Sequence, residues 1–267
     1  MVHHTMEKNM DHEVYISMSK PIRKTHALLT NDATMAEEID RVISECVISK
    51  LPVYIFVPTD VVDLPLDATR LGTPLNTTII NKDKSVEAAA IKKILELIKK
   101  ASSPIILVDV LAIRHGGKEL SRKFVELTQF RTYSTAASKG VIDEQSSTYG
   151  GVYNGKSLAP LQLCWNVEAD LISVSFPGVA DAVHSSDLVI NIGPLLSDST
   201  TGGFSRQIND EHLISLGHDD CQVQAEIFKG LHFLPVLQGV TDALEKQPNL
   251  YDLPRPQDWK LIEVSDI

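Results

Sequence analysis

Apolar positions recur at helical spacing across residues 34–48, where Met35, Ile39, Val42, Ile43 and Val47 fall on one face. Thr34, with Glu37 three residues on, makes a capping-box pattern that predicts the helix start. The run Pro52-Val53-Tyr54-Ile55-Phe56-Val57-Pro58 predicts a short buried strand bracketed by prolines. Periodicity then fades over residues 60–83, where Pro65, Gly72 and Pro74 predict a linker with no room for a helix. A second pattern begins at Ser85. Residues 85–100 set Ile91, Ile94, Leu95 and Ile98 along one face of an amphipathic helix. A buried strand follows at 104–109, a turn at His115-Gly116-Gly117, a helix at 118–128 and a short strand at 131–135. Further along, the pattern predicts a helix at 179–184, strands at 188–193 and 212–216, and a closing helix at 233–244. Strands alternating with helices at this spacing predict an α/β fold built on a doubly wound parallel sheet.

One stretch breaks the alternation. Residues 158–174 are apolar, include Cys164 and Trp165, and carry no turn signals of their own. Their tail, Glu168-Ala169-Asp170-Leu171-Ile172-Ser173-Val174, weakly echoes Ser186-Asp187-Leu188-Val189-Ile190-Asn191.

Composition narrows the function classes. The apolar residues are mostly Leu, Ile, Val and Ala rather than aromatic, which suits strands buried on both faces. A formal net charge of -10 argues against a surface that tracks nucleic acid. The pairs Lys92-Lys93 and Lys99-Lys100 read as the solvated face of one helix. Three scattered cysteines, Cys46, Cys164 and Cys221, fit a reducing compartment and form no metal-binding pair. No apolar run reaches the roughly 18 residues a membrane helix needs, and the polar first residues carry no signal-peptide pattern. A cytoplasmic protein is the expectation.

Two motifs carry candidate chemistry. Gly150-Gly151-Val152-Tyr153-Asn154-Gly155-Lys156-Ser157 satisfies the spacing of a phosphate-binding P-loop. Such a loop must follow a buried strand and open a helix, so that backbone N–H groups cradle the phosphates. Here a polar, turn-like run precedes it and Leu158-Ala159-Pro160 follows, so the context predicts that the match is formal only. His3 and His4 are adjacent imidazoles that suit proton transfer near neutral pH; taken alone they read first as a solvated terminal arm. The loops His115-Gly116-Gly117-Lys118 and Gly193 with Thr200-Thr201-Gly202-Gly203 follow strands, where open sheets bind ligands, yet they lack the dinucleotide fingerprint.

Several strings together match one family. They are Val2-His3-His4-Thr5, Ala36-Glu37-Glu38-Ile39-Asp40-Arg41, Val62-Asp63-Leu64-Pro65, Arg114-His115, and Leu127-Thr128-Gln129-Phe130. To these are added Lys139-Gly140-Val141-Ile142-Asp143-Glu144-Gln145, Tyr149-Gly150-Gly151-Val152-Tyr153-Asn154-Gly155, Leu195-Leu196-Ser197-Asp198 and Thr201-Gly202-Gly203-Phe204-Ser205. In order and over nearly the whole chain, they resemble the fungal-type pyruvate decarboxylases, which depend on thiamine diphosphate. The resemblance implies that residues 1–66 are the C-terminal part of a pyrimidine-binding domain and 67–84 a linker. It also implies that 85–246 are a nucleotide-binding-like central domain with an insertion near 158–174, and 247–267 a C-terminal linker.

The same resemblance implies a carboxy-lyase that converts pyruvate, a 2-oxo acid, to acetaldehyde and carbon dioxide with thiamine diphosphate and Mg2+, as a homo-oligomer in the intact family. It gives His3 and His4 the proton-handling role and turns the P-loop match into a structural corner. Leu111 and Ala112 stand where some relatives carry a cysteine pair, so no thiol-based activation is implied. No Gly-Asp-Gly diphosphate motif occurs, and no residue is assigned to cofactor or metal binding. The chain alone is therefore expected to be inactive. The alternatives are a non-catalytic module pairing with full-length decarboxylase, or a nucleotide- or flavin-binding module.

Overall fold

The computed structural model describes residues 13–30, 32–155, 175 and 178–247. The chain divides into two compact units, Met1–Ile79 and Ile80–Ile267.

The first unit holds helix α1 (Glu13–Ser19), strand β1 (His26–Leu28), helix α2 (Asp32–Ser49) and strand β2 (Tyr54–Phe56). β1 pairs in parallel with β2. Ala27, Leu29, Met35 and Val42 form a small core between the strands and α2. α2 begins earlier than the capping-box pattern predicts, so Thr34 lies inside its first turn and does not cap it. The expected helix-free linker contains one 3-10 turn, Ala68–Gly72. Local polar bonds make it without apolar periodicity. The Asp67 carboxylate accepts from the Thr69 N–H at 2.9 Å, and Arg70 bonds Asp40 on α2 at 2.8 Å.

The second unit is a seven-stranded mixed sheet with helices on both faces. Helix α3 (Lys84–Lys100) starts where the Asp83 side chain accepts from the Ser85 and Val86 N–H groups. Strand β3 (Pro104–Val108), helix α4 (Val110–Arg114), helix α5 (Lys118–Thr128), and strands β4 (Arg131–Ser134) and β5 (Tyr149–Val152) follow. Helix α6 (Val179–His184), strands β6 (Leu188–Ile192), β7 (Leu213–Leu216), β8 (Asp220–Val223) and β9 (Glu226–Lys229), and helix α7 (Phe233–Lys246) complete it. The strand order is β5-β4-β3-β6-β7-β8-β9. β5 through β7 are parallel. β8 and β9 add an antiparallel edge beyond the expected parallel sheet. His212 closes a 3-10 turn rather than opening β7.

Period-two alternation explains why β3 and β6 read as continuous apolar runs. Ile106 and Val108 of β3, with Leu188, Ile190 and Ile192 of β6, join the core under α3, α5 and α7. Ile105, Leu107 and Val189 point to the opposite face, where they meet Val179 and Val183 of α6. Both faces are covered, so there is no polar alternation to see. α3 and α7 approach closely at Gly239, where a β-carbon would lie 2.4 Å from the Ile91 side chain.

Among the described residues, no helix is long and apolar enough to cross a membrane. Cys46 and Cys221 are free thiols. Burial pushes the Cys221 thiol up to about 12, which keeps it protonated and chemically quiet.

Tyr133 of β4 is fully buried, and its hydroxyl has no hydrogen-bond partner. Desolvating an unpaired hydroxyl is unfavourable. Tyr133→Phe is therefore expected to leave stability unchanged or raise it by up to about 1 kcal/mol in urea unfolding followed by circular dichroism. A loss larger than that would mean the hydroxyl is bonded after all.

Candidate functional site

In an open α/β sheet, ligands bind beyond the carboxyl ends of the strands, where the strand order reverses. Here the reversal falls between β3 and β6, which are neighbours in the sheet. The chain leaves β3 through Asp109, which is 1% exposed. Its Oδ1 accepts from the Val110 N–H at 2.7 Å and from the Thr135 hydroxyl at 2.7 Å. Its Oδ2 accepts from the Leu195 N–H at 2.9 Å. One carboxylate thus ties together the loops that follow β3, β4 and β6. The Ser138 hydroxyl, which sits 3.1 Å from the Thr135 hydroxyl, donates to the Val108 carbonyl at 2.7 Å and extends the network.

The same crevice is filled by α4. The Leu111 N–H donates to the Gly193 carbonyl at 3.0 Å, and the Ala112 N–H donates to the Asp109 carbonyl at 3.1 Å. With the Val110 N–H on Asp109, the first three amides of α4 are all engaged by the protein itself. A helix start binds phosphate through free N–H groups, and these are spoken for. Gly193 has φ +65, and a β-carbon on it would lie 2.2 Å from the Ala112 nitrogen. Glycine here lets α4 seat directly on the end of β6.

A second polar layer lies beside this staple. With its amide oriented to suit its neighbours, Asn191 of β6 donates to the Leu107 carbonyl at 3.2 Å. Its carbonyl oxygen accepts from both Arg206 terminal nitrogens, at 2.9 and 3.0 Å. Burial lowers the Arg206 pKa from its ordinary value, while Tyr153 and Asp109 pull it back up. The Tyr153 hydroxyl and His184 Nε2 are 2.8 Å apart. Burial pushes the Tyr153 phenol up to about 12, so it stays protonated. These groups hold loops together. None of them pairs a nucleophile with a base at an open position.

The residues singled out in the sequence fall differently. His3 and His4 lie outside the described residues, as do Lys156 and Ser157 of the P-loop match and the unusual stretch 158–174. Gly150 and Gly151 lie within β5 instead of opening a loop after a strand. A β-carbon on Gly150 would come within 2.5 Å of the Tyr133 ring, so close packing accounts for that glycine. The chain next to it is pinned. Ser175 Oγ accepts from the Asn154 N–H at 2.8 Å and donates to the Gly155 carbonyl at 3.1 Å. His115 is buried at the end of α4. There it joins His218 and His232, which no sequence spacing brings together. Asp109 was visible as a carboxylate closing an apolar strand. Its partners were not, because they come from distant loops.

Thiamine diphosphate needs a cradle for its diphosphate and oxygen ligands for a divalent cation. Among the described residues no group of three His, Cys, Asp or Glu is placed to hold a metal ion. The amides at the strand-end crevice are already bonded. The described residues do not fit the cofactor.

Fold and crevice together define a class: a doubly wound α/β domain whose strand ends brace its own loops. The chain belongs to the thiamine pyrophosphate enzyme central-domain family, whose model matches residues 91–246. It is similar to pyruvate decarboxylase isozyme 2 of Saccharomyces cerevisiae, at 36% identity over 244 residues, 91% of this chain and 40% of that protein. It is 35% identical to pyruvate decarboxylase of Kluyveromyces lactis over 89% of this chain and 39% of the relative. With pyruvate decarboxylase of Candida albicans it shares 32% identity over 99% of this chain and 44% of the relative. The chain thus spans about two fifths of the length of the curated relatives it matches.

Proposed function

We propose that this chain supplies the central domain, and part of a pyrimidine-binding domain, of a pyruvate decarboxylase. In this reading residues 1–66 belong to the pyrimidine-binding domain and 85–246 to the central domain. The reaction is the non-oxidative decarboxylation of pyruvate to acetaldehyde and carbon dioxide, in a cytoplasmic homo-oligomer. Thiamine diphosphate with Mg2+, held by residues other than those described, would supply the electron sink for that reaction. His3 and His4 move protons at the reacting carbon. The described domain contributes rigidity and a surface for neighbouring domains, and no cofactor ligand. The observation that carries the reading is 36% identity sustained over 91% of the chain to a pyruvate decarboxylase.

The reading of a nucleotide- or flavin-binding module has less support. The helix start that would meet a phosphate has its amides engaged by Asp109 and Gly193.

The test is an assay of acetaldehyde formation from pyruvate with thiamine diphosphate and magnesium. It is run on this 267-residue chain and on the polypeptide that carries the sequence in the cell. The expected result is turnover by the cellular polypeptide and none by the chain alone. Replacing His3 and His4 together by Ala is expected to cut turnover at least about 100-fold, the scale of lost acid–base catalysis. A cellular polypeptide inert toward every 2-oxo acid, yet co-purifying with an active decarboxylase subunit, would replace this reading with that of a non-catalytic partner.

A further inference from the structure

Three histidines from three places in the chain meet at the N-terminal end of α7. His232 is the N-cap residue, and its Nδ1 accepts from the Leu234 N–H at 3.1 Å. Its Nε2 lies 3.1 Å from Nδ1 of His115, which ends α4. His218, from the turn between β7 and β8, stacks on His115 with ring centroids 5.6 Å apart. Its Nε2 lies 3.1 Å from the Asp219 carboxylate. Phe233 stacks on His232 with ring centroids 4.8 Å apart.

The backbone around this cluster is also tied down. The His232 N–H donates to Asn81 Oδ1 at 2.7 Å, and Asn81 Nδ2 returns a bond to the His232 carbonyl at 3.2 Å. The Phe233 N–H donates to the Gly217 carbonyl at 2.9 Å.

The donors and acceptors fix where the ring protons sit. A ring nitrogen that accepts from a backbone N–H carries no hydrogen, so His232 is bare at Nδ1 and protonated at Nε2. That Nε2–H points at His115 Nδ1, which must then be bare. A further proton on either ring sets one donor against another. A cation at the start of a fourteen-residue helix also faces the positive end of its dipole. Of the charged and titratable groups facing His232, His115 and His218 oppose its protonation, and the Asp219 carboxylate alone favours it.

We propose that the His232–His115 pair is a proton-sensitive latch, closed only while both rings are neutral, that holds the start of α7 to the turn after α4. Acid opens it and frees the first turn of α7 from the strand-end loops. Burial, with His115 next, pushes His232 down to about 4, in agreement with the geometry. The sign follows. An opened His232 titrates near 6.5 and the latched one near 4, so the open state binds more protons between those values. Opening is therefore favoured as pH falls through that window and is indifferent to pH above it.

Amide hydrogen exchange at Phe233 and Leu234, measured on the full chain from pH 7.5 to 4.5 and corrected for intrinsic rates, reads the opening equilibrium. It is expected to rise on the order of 10- to 100-fold as pH falls, with solvent screening of the half-buried ring already allowed for. His232→Asn keeps a capping acceptor and removes the titration, so its exchange is expected to be flat across the same range. Ring-nitrogen NMR of the unmodified chain gives a second reading that needs no variant. His232 is expected as the Nε2–H tautomer, titrating below pH 5. An Nδ1–H tautomer, a midpoint near 6.5, or an unchanged pH profile in His232→Asn would each overturn the latch.

Discussion

Asp109→Ala is expected to destabilise the domain by roughly 3–5 kcal/mol, the scale for breaking a buried, hydrogen-bonded charge. The carboxylate accepts from Val110, Thr135 and Leu195, and nothing else in the crevice can replace it. Alanine leaves two backbone amides and one hydroxyl facing each other in a dry site, each a desolvated donor. Asp109→Asn retains one carbonyl acceptor but turns an NH2 toward donors, so about half of that loss is expected. Urea denaturation of the chain, followed by far-ultraviolet circular dichroism, measures both. A loss under about 1 kcal/mol for alanine would show that the three loops hold their places without the carboxylate.

Gly193→Ala should be at least as damaging. Its φ of +65 disfavours any side chain, and the added carbon would sit 2.2 Å from the Ala112 nitrogen and 2.8 Å from the Leu111 carbonyl carbon. Both obstacles are backbone, so no rotamer change relieves them. α4 would have to lift from the sheet and give up the bond from Leu111 to Gly193. A cost of roughly 4 kcal/mol or more is expected, enough to leave much of the chain unfolded. Gly116→Ala is the control. It has φ +78 with nothing within 4 Å of the added carbon, so only the conformational cost of about 1–2 kcal/mol applies. Equal effects at the two positions would mean that α4 is not seated on Gly193.

The contrast between these two glycines marks how far the sequence could be read. Both follow buried elements, and both looked like ordinary turn residues. Only the approach of α4 separates them, and that is a long-range fact. Strands β3 and β6 were legible because burial on both faces leaves an apolar run, broken in β6 only by Asn191. β5 was not, since Tyr149-Gly150-Gly151 offers no such run and Gly150 stands where a side chain would strike the Tyr133 ring. The β8–β9 edge was missed for another reason. Its strands are only four residues long; β8 buries just Cys221 and Val223, and β9 just Phe228, with Glu226 and Ile227 exposed. The histidines tell the same story at the level of chemistry. His115 drew notice as part of a turn, yet its partners His218 and His232 lie about a hundred residues away. No local spacing predicts that meeting; the sheet order creates it. The P-loop spelling failed in the opposite sense: its local pattern is complete, but Gly150 and Gly151 stand inside a strand.

The clamp between Ser175 and the Asn154–Gly155 backbone bears on how this gene can change length. Two bonds through one hydroxyl join Ser175 to the Asn154–Gly155 backbone. Where two points of a chain are already held together, lengthening what lies between them costs little, about 0.6 kcal/mol for each doubling. Changes in the number of residues between Gly155 and Ser175 are therefore expected to leave the staple at Asp109 in place, and urea unfolding of a chain shortened there checks it.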